Sequence, residues 1–269
     1  LLPFWLSIGV LSLVQASLVA APKPPLPALL GGLQSRWWAL VLPLSIVVVI
    51  SAIALDSASA RFLTYLALVA VPPLAAAALA WLLQGARREL ALLVVPLFAL
   101  AWAVEGSLSS ETAALALSAL ACVTLGWLTA CVVPARWLKL GIYAMAIIDV
   151  YLIASDLLQG PNAVLNTVSP AAALPRLQLA NFGSAVMGFG DLFIAATLGA
   201  LLAYDRRLQL RGAALAAVIG LSFNLLFFAV DELPATVPIA LTLAVLELIE
   251  RAKPEQQASQ GQPERSPNR

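Results

Sequence analysis

The chain predicts an all-α, polytopic membrane protein of about nine transmembrane helices, with its N-terminus outside and its C-terminus in the cytoplasm. Three observations carry this reading. Of 269 residues, 62% are hydrophobic and 11% charged, with a mean hydropathy of +0.95, too apolar for an ordinary soluble domain. Nine apolar runs approach the ~20 residues needed to cross a hydrocarbon core of about 30 Å. Lys and Arg then gather at alternate ends of those runs.

The runs lie at about 1–21, 39–55, 62–84, 90–104, 112–133, 138–158, 177–204, 212–230 and 233–249. The first is long for a signal-peptide core and lacks a basic leader, so it is expected to span. Pro22, Pro24, Pro25, Pro27, Gly31 and Gly32 mark an irregular linker, closed by Trp37 and Trp38 at the expected interface. Pro72 and Pro73 fall inside the third run, where neighbouring helices can satisfy freed carbonyls. Residues 1–250 form one membrane-embedded domain, and the polar stretch 251–269 is expected to be a disordered cytoplasmic tail.

The ends following runs one, three, five, seven and nine carry Lys23, Arg36, Arg87, Arg88, Arg136, Lys139, Arg206, Arg207, Arg211, Arg251, Lys253, Arg265 and Arg269. The other side holds only Arg61 and Arg176. Under the positive-inside rule this asymmetry sets the orientation. A preference for Arg over Lys, 12 to 3, with abundant Ala and Leu, hints at a GC-rich prokaryotic genome and hence a plasma membrane.

Composition also excludes. A net charge of +1 leaves no basic footprint for nucleic acid. The absence of His removes zinc motifs of the HExxH kind and every Ser-His or Cys-His nucleophile pair. Neither a metal nor a cofactor is expected. Cys122 and Cys131 lack CxxC spacing and read as small lipid-facing or packing residues.

Against this background a few acids stand out. Asp149 lies in the sixth run, Asp191 in the seventh, and Glu247 one turn from the end of the ninth. A carboxylate at bilayer depth costs on the order of 3 kcal/mol, so it marks a functional site by default. Two acids on neighbouring helices can face each other across one space, share a proton and titrate as a pair. One then activates water while the other polarises a peptide carbonyl. Asp156, on the same helical face as Asp149, is a rival first acid. Ser184, Gly188, Asp191, Ala195 and Gly199 would form a small-residue stripe on a continuous helix. Phe189, between Gly188 and Gly190, would point near a substrate.

These residues resemble a family, the intramembrane aspartyl proteases that include signal peptide peptidases and presenilins. Residues 188–191, GFGD, are similar to that family's GxGD, which implies Asp191 as a catalytic acid. Asp149 stands where the family has a Tyr-Asp pair, with Ile148 in place of Tyr. LPATVP, from Leu233 to Pro238, looks like the Pro-Ala-Leu element, with Pro234 and Ala235 kept and Thr236 in place of Leu. The resemblance covers roughly the C-terminal half. It implies a scaffold of spans one to five, a catalytic unit of spans six to nine, and substrates that are transmembrane segments of type II orientation. It further implies that Gly188, Phe189, Gly190, Pro234 and Ala235 bind substrate, and that the substrate helix unwinds into a strand. The Pro-rich connection 159–177 is the expected receiver by edge pairing.

Two other readings use the same acids. Prepilin peptidases also carry a GxGD acid, but their motif continues with a Lys, where this chain has Leu192, Phe193 and Ile194. A proton- or cation-coupled transporter would use Asp149, Asp191 and Asn224 as a polar pathway. No matched pair of broken helices in two halves supports that.

Overall fold

The computed structural model describes residues 2–22, 32–82, 87–103 and 106–260. Most of the linker between the first two runs and the last nine residues lie outside the described residues. The described residues are mostly helical, in ten α-helices and one two-stranded sheet.

Local chemistry sets many of the helix starts. α1 (Phe4–Val19) begins after Pro3. A 3-10 turn, Arg36–Leu40, leads into α2 (Val41–Leu55) and is capped by the Ser35 hydroxyl, which accepts from the Trp37 N–H. α3 (Ala58–Ala77) contains both Pro72 and Pro73 and runs on into a π-helical turn, Ala78–Leu82. A second 3-10 turn, Arg88–Leu93, precedes α4 (Val94–Ala103). α5 (Leu108–Val132) starts at Ser107, which accepts from the Ser110 N–H. α6 (Ala135–Ala154) starts after Pro134. α7 (Gln159–Thr167), the strands β1 (Leu179–Phe182) and β2 (Ala185–Gly188), and α8 (Phe189–Leu202) follow. Asp205 caps α9 (Arg206–Phe223), accepting from the N–H groups of Arg207 and Leu208, and α10 (Val237–Gln260) closes the chain.

Five helical units are long and apolar enough to cross a membrane: Arg36–Leu55, Ala58–Leu82, Leu108–Val132, Ala135–Ala154 and Arg206–Phe228. Large apolar side chains such as Phe62, Val69, Ile147 and Val218 point outward on these units. So much exposed hydrocarbon is unsuited to water and suited to lipid. This marks a membrane protein.

The seventh apolar run, 177–204, is not one helix. It begins as an antiparallel hairpin with Leu179 opposite Gly188 and Phe182 opposite Ala185, and turns helical only at Phe189. The two-residue turn needs Gly183, whose φ of +60° suits no ordinary side chain. Glu111 on α5 accepts the Gly183 N–H at 2.7 Å, and Ser7 on α1 accepts that of Ser184 at 3.2 Å. The expected stripe through Ser184 and Gly188 therefore does not exist; only Asp191, Ala195 and Gly199 share a face of α8. At 14 residues α8 is about 21 Å long, so the hairpin occupies the rest of the run.

Two further stretches take forms that the apolar and polar runs did not suggest. The 159–177 connection holds α7 rather than a receiving strand, with Pro161 in the first turn, where its missing N–H is harmless. α10 continues to Gln260, into the stretch expected to be disordered. Of the two roles open to Cys122 and Cys131, the structure gives packing, since both are buried in the protein; Cys122 contacts the Phe189 carbonyl at 3.8 Å.

α8 sits at the centre of the bundle, with Leu192, Ile194, Ala195 and Leu198 fully buried. Small residues let it pack closely. A Cβ on Gly199 would lie 2.6 Å from the Leu18 carbonyl oxygen of α1, and one on Gly126 of α5 would lie 2.6 Å from the Ala196 carbonyl carbon. Neither backbone can yield without moving a helix. Gly199→Val is thus expected to destabilise the protein by about 1–3 kcal/mol, read as a lowered Tm in detergent. Gly160→Ala, facing open space in α7, should leave Tm unchanged or slightly raised.

Candidate active site

Asp149 lies five residues before the end of α6 and is 5% exposed. Asp191 is the third residue of α8. Both line one cavity of about 680 Å³, walled by α1, α2, α3, α6, α7, the hairpin, the head of α8, the end of α9 and the segment between α9 and α10. Gly188, Phe189, Gly190 and Ala235 also line it. Pro234 does not; its carbonyl instead accepts the Val237 N–H at 3.1 Å, opening the first turn of α10.

Each acid has its own donor. The Thr236 hydroxyl donates to Asp149 Oδ2 at 2.6 Å, and the Gly188 N–H donates to Asp191 Oδ2 at 3.0 Å. The second bond is the reach-back half of a capping box: the acid at the third helical position satisfies a backbone donor just ahead of the helix. It also holds Asp191 χ angles in one arrangement at the junction of strand and helix.

A residue from the far end of the chain completes the junction. Gln15 on α1 is 3% exposed, and its Nε2 donates to the backbone carbonyls of Asp191 at 3.1 Å and Ala235 at 2.9 Å. One side-chain amide thus joins α1, the head of α8 and the segment leading into α10. The signal was present in the sequence, since Gln15 is the one amide in an otherwise apolar and hydroxyl-bearing α1. Which carbonyls it meets follows only from packing. Thr236 likewise reads as a departure from a motif until its hydroxyl is seen on Asp149.

Of the remaining acids, Asp231 and Glu232 also line the cavity, whereas Asp156 and Glu247 do not. Asp156 lies beyond α6 with a φ of +55°, is exposed, and accepts from Gln159 Nε2 at 3.2 Å outside the cavity. Glu247 pairs with Lys139 at 2.8 Å and accepts from the Tyr143 hydroxyl at 3.1 Å, tying α10 to α6. Asn224 reaches the cavity and donates to Ser12 Oγ at 2.9 Å. Among the described residues no group of three or more His, Cys, Asp or Glu is placed to hold a metal.

Comparison with protein-family models, with curated proteins and with solved structures returned no match. Two carboxyl groups from different helices, each oriented by a separate donor, open onto one space large enough for several side chains. Such an arrangement suits proton transfer to and from a polarised substrate.

Gln15→Leu leaves the Ala235 carbonyl without its donor, strips the Asp191 carbonyl of its bond beyond the α8 ladder, and removes the link between three segments. Its expected cost is about 1–3 kcal/mol, measured as a lowered Tm of the purified protein relative to the wild type.

Proposed function

We propose that this chain is an intramembrane aspartic endopeptidase that hydrolyses peptide bonds within transmembrane segments, with Asp149 and Asp191 as its two acids. The observation that carries the reading is that these acids, 42 positions apart on different helices, line the same cavity. The resemblance of GFGD and of Pro234-Ala235 to the signal peptide peptidase and presenilin family agrees with it. The β-hairpin adds a second support. In a two-stranded sheet each strand has a free edge, and all of β2 lines the cavity while β1 contributes only Leu179. An unwound substrate segment can add to such an edge by main-chain pairing.

The mechanism uses only these residues and water. The ionised acid takes a proton from the attacking water as the protonated acid gives one to the carbonyl oxygen, forming a gem-diol. Collapse of the gem-diol, with a proton passed to the amide nitrogen, releases the amine and leaves a carboxylic acid. Thr236 holds the Asp149 carboxyl from the side of α10, and the Gly188 N–H holds that of Asp191 from the end of the hairpin.

The same reading takes the membrane crossing as nine passes, the shorter helices α1, α4 and α8 and the amphiphilic α10 completing the five long units. The N-terminus lies outside and the C-terminus in the cytoplasm, by the Lys and Arg asymmetry. That orientation suits substrates of type II orientation, in what the Arg-rich composition indicates is a prokaryotic plasma membrane. A second reading, an ion-coupled transporter, draws on Asn224 and Ser12 standing in the same cavity as the acids.

Cleavage of a type II reporter segment in proteoliposomes separates the two. Wild type and Asp156→Asn are expected to release product, and Asp149→Asn and Asp191→Asn to release none. Product from Asp191→Asn would defeat the protease reading, while uptake driven by an ion gradient without cleavage would favour transport. Thr236→Val is expected to lower kcat about 10- to 100-fold, as for loss of a hydrogen bond to a charged group. Thr236→Ser should recover most of it.

A further inference from the structure

One buried side chain in the cavity has no use in the mechanism above. Gln178 is 8% exposed, lines the cavity, and has neither its amide nitrogen nor its amide oxygen hydrogen-bonded. Buried polar groups are almost always paired, and a buried amide with both functions unpaired is destabilising unless something supplies partners. Among the described residues the other unpaired buried side-chain atoms, Trp127 Nε1 and Asn181 Oδ1, do not belong to residues that line the cavity.

The position of Gln178 says what that partner is. It immediately precedes β1, and the ladder ends with Leu179 opposite Gly188. Gly188 is the residue whose N–H holds Asp191. Gln178 therefore stands just past the open end of the hairpin, at the level where α8 begins and presents its acid. A primary amide offers an acceptor oxygen and a syn donor hydrogen side by side, which match the N–H and C=O that a single extended residue turns to one side.

We propose that Gln178 is a substrate-docking residue whose side-chain amide pairs with the N–H and C=O of one residue of the extended substrate segment close to the scissile bond. This rests on the protease reading. The donor and acceptor would continue, by one side chain, the main-chain pairing that the hairpin edge offers. Such a contact recognises backbone and is indifferent to side-chain identity, which fits an enzyme that must accept apolar segments of varied sequence. It also favours unwound segments, because an intact helix has already committed its central N–H and C=O groups.

The test uses the full chain in proteoliposomes and a fluorescent synthetic transmembrane segment that contains no Asn or Gln. Binding is measured to Asp191→Asn and to the double variant Asp191→Asn/Gln178→Leu, so no turnover interferes. The double variant is expected to bind about tenfold more weakly. Single ester-for-amide replacements scanned along the segment should weaken binding to the Asp191→Asn protein at one unit and leave the double variant indifferent there. Gln178→Leu should keep or raise Tm, because it removes unpaired polar atoms. Equal binding by the two proteins overturns the proposal, as does a lowered Tm accompanying the loss, which would make Gln178 a structural residue. An effect seen only with a segment carrying Asn or Gln would assign a side-chain amide as the partner and overturn the backbone assignment. A parallel cleavage assay locates the other failure: product from Asp191→Asn defeats the protease reading, whatever the binding results.

Discussion

The arrangement of this protein depends on how α8 is begun. At that point the chain passes from strand to helix inside an apolar bundle, and its backbone groups need partners that lipid cannot provide. The Asp191 carboxyl takes the Gly188 N–H, and Gln15 donates to the carbonyls of Asp191 and Ala235. These few bonds set the start of α8 relative to α1 and to the entry of α10. Everything that opens on the cavity is placed from there.

The hairpin before α8 belongs to the same logic. Irregular backbone in an apolar bundle is tolerated where it is enclosed by protein or borders a cavity, and the hairpin does both. α1 and α5 hold its turn through Ser7 and Glu111, while β2 borders the cavity. Shortening α8 in this way brings Asp191 to a helix head, where its carboxyl has a backbone donor. On the continuous helix the apolar run suggested, the backbone N–H groups around it would have been consumed by intrahelical bonds.

Thr236 illustrates how a departure from a motif gains meaning from its neighbours. As a letter in LPATVP it is merely a polar residue where a Leu resembles the family pattern better. In the fold it is buried and donates to Asp149 at 2.6 Å, so the segment leading into α10 reaches one acid through a hydroxyl. A Leu in that place could fill space but could not orient a carboxyl.

The amino-acid sequence by itself determined the membrane class, the approximate limits of the long helices and the short set of acids worth following. Apolar run length and the energetic expense of buried charge are local properties that need no neighbours. It also singled out Asp149 and Asp191 over Glu247. It did not reveal the hairpin, because a buried strand and a buried helix segment are equally apolar and periodicity cannot part them. Nor could it separate Asp149 from Asp156, which share a face only as long as α6 continues; the helix ends at Ala154 and turns Asp156 away. Gln15 and Thr236 acquired roles only when distant segments met. Those roles belong to the tertiary structure, because a hydrogen bond is decided by the distance and direction of two groups that the chain keeps far apart.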